Sequence, residues 1–207
     1  MIASCDPTTS PGLRDRAILL LLARLGLRAG DVAALRLPDI DWANASIKVS
    51  GKGRREAKLP LSQEVGDAIL AYLDQGRPQV GPDRVFFAIR APWRPLTSGS
   101  VTATVVRAIR RAGVTAPTHG AHLLRHSAAT SMLRQGASLY AIGTVLRHQS
   151  VETTAQYARV DKRLLLGVAQ PWLDGVEPPE DDGVKPAPGE IPGPRQLAQP
   201  LREGQSC

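Results

Sequence analysis

Six polar side chains, Arg28, Lys52, His122, Arg125, His148 and Tyr157, are spread over 130 positions of the chain, and their types suit phosphoryl transfer. Five can stabilise or protonate a phosphate, and the sixth is a phenol that can attack one. A phenol with an unperturbed pKa of about 10 needs cationic neighbours to act as a nucleophile at neutral pH. On a helix, His122, Arg125 and His126 fall at i, i+3 and i+4, so the first two share a face and can meet one phosphate together. An arginine fork matches phosphate oxygens bidentately, and a histidine beside it exchanges protons near neutral pH. Arg28 is followed three residues on by Asp31, a carboxylate able to orient the guanidinium from behind, and Lys52 lies between Gly51 and Gly53.

Taken singly, each residue has a plainer reading. Arg28 and Arg125 could make structural ion pairs, His122 could cap a buried carbonyl, Lys52 could be a solvated lysine, and Tyr157 could be partly buried. The spacing of His119, His122 and His126 also invites a metal. Arg125 sets a fixed cation among those ligands, and no carboxylate or cysteine lies nearby in sequence to offset it, so no metal is expected.

The elements that must position these groups are legible in outline. The first eleven residues, rich in Ser, Thr and Pro, read as a linker. Residues 12–25 carry the apolar series Ile18, Leu19, Leu21, Leu22 and Leu25 of a helix that Gly26 breaks, and a second helix spans roughly Ala29 to Leu35 before Pro38. Arg28 therefore falls in the junction between two helices. Ile47 and Val49 alternate ahead of Gly51-Lys52-Gly53, and a second strand at Ala57 to Leu59 completes a hairpin with Lys52 at its tip. Ser62 can cap a helix through Tyr72, Val85 to Ala88 suggests a third strand, and Ser98 to Ala112 reads as a helix. A helix from about Ala121 to Gln135 ends at Gly136; Ser138 and Ser150 can cap two short ones, the second ending near Tyr157, and Asp161 to Leu173 suggests a last.

Composition bounds the partners. The net charge is +7, but residues 176–207 carry three basic and six acidic side chains, which leaves 23 basic and 13 acidic residues, a net of +10, in the first 175. Such an excess suits a phosphate-bearing surface. The apolar run Ala17 to Ala23 falls far short of the roughly 20 residues a bilayer span requires, so no membrane is expected and a cytoplasmic location is. Cys5 and Cys207 have neither metal-ligand nor disulfide-framework spacing. After Gly175 the chain turns to proline, glycine and acid, with seven prolines in 32 residues, the composition of a disordered tail.

Taken together, the motifs resemble those of the tyrosine recombinase, or phage-integrase, family. Gly26-Leu27-Arg28 with Asp31 and Leu35 is similar to the family's first arginine box, and Gly51-Lys52-Gly53 followed by Leu59-Pro60-Leu61 to its lysine hairpin. His122-Leu123-Leu124-Arg125-His126 fits the H-x-L-R-H box, and Leu146-Arg147-His148 with Thr153, Thr154 and Tyr157 fits the last, where the tyrosine follows the histidine by nine residues. The resemblance implies an α+β, mainly α catalytic domain over residues 12–175 with a small antiparallel sheet. It implies that Tyr157 attacks a phosphodiester of double-stranded DNA to form a 3′-phosphotyrosyl bond. Arg28, Arg125 and His148 would hold the non-bridging oxygens, Lys52 would protonate the leaving 5′-oxygen, and His122 would assist proton transfer. No cofactor is implied, because the bond energy stays in the protein–DNA ester. A homotetramer on two DNA sites is the expected assembly, its C-terminal helix docking on a neighbour through the apolar face of residues 164–172. His126 is expected to be structural.

The sequence departs from the family pattern in three places. Asp31 stands where glutamate is usual, and Arg147 where many members have glycine, adding another candidate phosphate contact. The third departure is that only eleven residues precede the catalytic domain, where the family carries a helical core-binding domain. That leaves a fragment, a truncated product or a single-domain member as readings of this chain. The alternatives to a recombinase are a non-catalytic DNA-binding remnant or regulator, a topoisomerase-like nicking and closing enzyme, and, more remotely, a metal-dependent hydrolase.

Overall fold

Residues Ile18 to Leu22 are apolar without interruption, and a helix apolar on every side is stable only when surrounded. The computed structural model describes residues 1–50, 56–81, 83–115 and 120–147, and in it helix α1 (Ser10–Arg24) runs through the middle of the core with Ile18 to Leu22 wholly inaccessible to solvent. Its start follows from local chemistry: the Thr9 hydroxyl accepts a hydrogen bond from the Gly12 N–H at 3.2 Å, and Pro11 sits in the first turn, where its missing N–H costs nothing. It ends at Gly26, whose φ of +60° lies in the left-handed region that favours glycine.

Helices α2 (Ala29–Ala34), α3 (Gln63–Gln75), α4 (Ser98–Arg111) and α5 (Ala121–Arg134) all pack on α1, joined there, for α2, by the junction that carries Arg28. Helix α3 turns Val65, Ala68, Ile69 and Tyr72 inward, the i, i+3, i+4, i+7 stripe of an amphipathic helix. Helix α6 (Leu139–Leu146) lies against α5 through Ile142 and Leu146, and the Ser138 hydroxyl caps it by accepting from the Ala141 N–H.

Strands β1 (Ile40–Asp41), β2 (Ser46–Ser50) and β3 (Glu56–Pro60) form an antiparallel sheet in the order β1-β2-β3, with Ile47 opposite Leu59 and Val49 opposite Ala57. Ile47, Val49 and Leu59 enter the core, as expected of a sheet with one buried face. On the other face Lys48 and Lys58 stand opposite one another, and each has its own carboxylate, Glu56 at 2.7 Å and Asp41 at 3.3 Å. The hairpin expected around Lys52 is present in its two strands; Lys52 itself lies outside the described residues.

Two expectations are corrected. The first residues are no linker. Ile2–Ser4 form a 3-10 turn, Met1 and Ile2 pack on the core, and Cys5 is buried, because the apolar side chains at 1, 2 and 5 offset the cost of ordering a short polar segment. Val85 to Ala88 form no strand. The segment is tied down by single bridges, Arg36 to Arg84 and Phe87 to Pro95, and the sheet's third strand is the two-residue β1. Val85, Phe86 and Phe87 are buried, and a short apolar run does not by itself distinguish a strand from a buried loop. Among the described residues no helix is long and apolar enough to cross a membrane. They all belong to the unit Met1–Ala169; the expected helix at 161–173 and the tail at 176–207 lie outside them.

Candidate phosphate-binding site

Arg28 occupies the N-cap of α2, and its main chain is held from both sides. Its N–H donates to Asp31 Oδ2 at 2.9 Å, and its carbonyl accepts from the N–H groups of Asp31 and Val32. The side chain is half-buried, and its Nη2 donates to the carbonyl of Arg147 at 2.9 Å. A guanidinium has five N–H donors. One edge can thus be fastened to the protein while another faces a ligand.

Arg125 lies on α5 and is 5% exposed. Its guanidinium donates to the carbonyls of Gly26 and Leu146, joining the α1–α2 junction to the end of α6. The two arginines therefore rest on consecutive carbonyls, Leu146 and Arg147, at the turn immediately before His148. Gly26 suits this crossing. Its carbonyl is one of the acceptors, and a β-carbon at that position would stand 2.4 Å from Leu146 Cδ2.

His122 is exposed one turn before Arg125 on the same helix. Its ring meets that of His126 edge-on, with centroids 4.2 Å apart. Burial holds the His126 pKa below the ordinary histidine value, and the neighbouring His122 and Arg125 charges push in the same direction. His126, expected to be merely structural, is thus in direct contact with a candidate site residue.

Asp31 does not brace the Arg28 guanidinium as its spacing suggests. Its carboxylate accepts from the Arg28 main-chain N–H and pairs with the guanidinium of Arg147. Arg147, read from sequence as one more phosphate contact, is turned inward to this ion pair, with side-chain exposures of 11% for Arg147 and 8% for Asp31. It ends α6 in the left-handed conformation, φ 54° and ψ 49°. Of the six expected site residues, Arg28, Arg125 and His122 are described; Lys52, His148 and Tyr157 lie outside the described residues. Sequence reasoning missed the carbonyls of Gly26, Leu146 and Arg147, since main-chain acceptors leave no trace in residue type.

The fold is that of a tyrosine recombinase catalytic domain, mostly helical with a small antiparallel sheet. It superposes on the crystal structure of XerA recombinase with a TM-score of 0.68 at 28% identity, covering 80% of this chain and 59% of that one. A likeness in fold alone extends to XerH site-specific recombinase solved with its palindromic difH substrate after cleavage, TM-score 0.69 at 24% identity, over 81% of this chain and 48% of that one. The chain belongs to the phage integrase family, whose pattern matches residues 1–163. Among its relatives is the putative integrase/recombinase y4rA of Sinorhizobium fredii, 47% identical over 174 residues, which are 83% of this chain. The chain spans 42% of that relative's length.

Proposed function

We propose that this chain cuts and rejoins double-stranded DNA in site-specific recombination or integration. The observation that carries the reading is the convergence of Arg28 and Arg125 on the adjacent carbonyls of Arg147 and Leu146, one residue ahead of His148. Two cations held to one turn are suited to a single phosphate whose charge grows during attack. In the reaction, the Tyr157 oxygen bonds to phosphorus as the bond from phosphorus to the 5′-oxygen breaks. The 5′-oxygen takes its proton from Lys52, and the phenolic proton leaves with the help of His122. Arg28, Arg125 and His148 hold the non-bridging oxygens. Rejoining is the reverse, with a 5′-hydroxyl attacking the phosphotyrosyl ester, so neither metal nor cofactor enters.

The same reading assigns the chemistry to a catalytic domain over residues 12–175, followed by a tail at 176–207 outside it. It takes the working assembly to be a tetramer on two duplexes in the cytoplasm. The net charge of +10 over residues 1–175 supports a DNA partner.

The test is a DNA carrying a nick beside the cleavage position, so that the released 5′ fragment diffuses away and the covalent species accumulates. Protein–DNA adducts resistant to detergent, lost in Tyr157→Phe, are the expected result. Salt-sensitive binding with no adduct from the wild-type chain would sink the reading in favour of a non-catalytic DNA-binding protein.

A further inference from the structure

The turn that holds both arginines is itself held by an interaction the proposed chemistry does not use. Arg28 Nη2 donates to the carbonyl of Arg147, the Arg147 guanidinium pairs with Asp31, and Asp31 accepts from the Arg28 N–H. These three links close a ring between the start of α2 and the end of α6, over 116 residues from Asp31 to Arg147. The next carbonyl back, that of Leu146, holds Arg125. We propose that Arg147 is a positioning residue, whose ion pair with Asp31 fixes the Leu146 and Arg147 carbonyls and through them the guanidinium groups of Arg125 and Arg28. The inference rests on the reading of those two arginines as phosphate-binding groups.

Two features show that the side chain is not there for the turn. Its backbone is left-handed, a conformation that glycine adopts without penalty and a residue with a β-carbon does not. Its guanidinium is buried, with Nε and Nη1 lacking a hydrogen-bond partner among the described residues. A buried ion pair with unfilled donors is a poor source of stability, since desolvation offsets most of the attraction. Both features are unfavourable, and both fall on the one residue whose carbonyl holds Arg28. The inward turn toward Asp31 also separates this role from direct phosphate contact.

Arg147→Gly removes the side chain while suiting the left-handed backbone, Asp31→Asn removes the charge while keeping an acceptor for the Arg28 N–H, and Arg147→Lys keeps the charge. The first readout needs no DNA: side-chain NMR of the guanidinium groups in the full chain, with Arg28 and Arg125 assigned from their lysine variants. Rotation about the Nε–Cζ bond of both arginines should quicken in Arg147→Gly and in Asp31→Asn. Unchanged rotation in the two variants, each checked as folded by circular dichroism, would overturn the proposal. The second readout is single-turnover adduct formation. Its maximal rate should fall about 10- to 100-fold in either variant with the half-saturating DNA concentration unchanged, as for a misplaced catalytic group. Arg147→Lys should recover part of the rate, and the double variant should be no slower than the worse single one. A loss confined to the half-saturating concentration would make Arg147 a DNA contact and refute the positioning role. A wild-type chain that forms no adduct would fail the recombinase reading instead, and the guanidinium rotation would still decide the clamp.

Discussion

Arg125 spans two carbonyls that belong to different parts of the chain, Gly26 and Leu146, with a separate nitrogen of its rigid fork on each, a reach that a single ammonium does not match. Arg125→Lys keeps the charge yet leaves one buried carbonyl without its donor, an expected loss of about 1–3 kcal/mol in urea unfolding. Under the proposed chemistry the same change should slow adduct formation by about 10²- to 10³-fold, the usual cost of one oxyanion donor. His126 makes a prediction about pH. Its folded pKa lies below its ordinary value, chiefly through burial, so the unfolded chain binds the proton more readily. The stability this confers is fully present above about pH 6.5 and is lost as the pH falls through the folded value beneath it. His126→Gln should flatten that part of a stability–pH profile; an unchanged slope would show that another group carries it. At this scale residue type exposes the cationic side chains, of which Arg28 and Arg125 meet at one turn. Spacing misdirected Asp31, because three residues of separation fit both a bond to the Arg28 main chain and a brace behind its guanidinium, and only the position of Arg147 decides between them.

The site depends on how two elements end. Helix α1 must stop at Gly26 for its carbonyl to reach Arg125, and α6 must stop at Leu146 and Arg147 for theirs to meet the two arginines. Gly26→Ala strains both ends together: φ is +60°, and the added β-carbon would press on Leu146 Cδ2 at 2.4 Å. The left-handed alanine alone is expected to cost about 1–2 kcal/mol, read as a lower thermal midpoint. Because Leu146 must move, adduct formation should fall further than the stability loss accounts for; a rate as high as the wild type's in the folded variant would show that the two ends are not coupled. Helix boundaries were readable because caps and breakers are local: Ser138 before α6, Gly26 after α1 and Gly136 after α5 all act within a few residues. The two-residue β1 was not readable, since so short a strand has no periodicity. It is defined only by its partner, Ile40 opposite Ile47. The segment at Val85 failed for the opposite reason, having a strand's composition without a neighbouring strand to pair with.

At the scale of the whole chain the informative quantity is charge and how unevenly it is divided. The net +7 contains a first part of +10 and a stretch at 176–207 of −3. Under the proposed function, an acidic stretch in the same chain competes with DNA phosphate for the same cations and weakens the long-range attraction for DNA. Deleting residues 176–207 should therefore tighten binding of a duplex in fluorescence anisotropy at low salt. The gain should shrink as salt rises, since the Debye length falls from about 30 Å at 0.01 M to about 8 Å at 0.15 M. A gain that survives high salt would point to something other than charge, and no gain at any salt would mean that the acidic side chains do not act on the binding surface. Adduct formation at saturating DNA separates encounter from chemistry: the shortened chain should react at the full-length rate once bound, because none of the proposed catalytic groups lies beyond Tyr157.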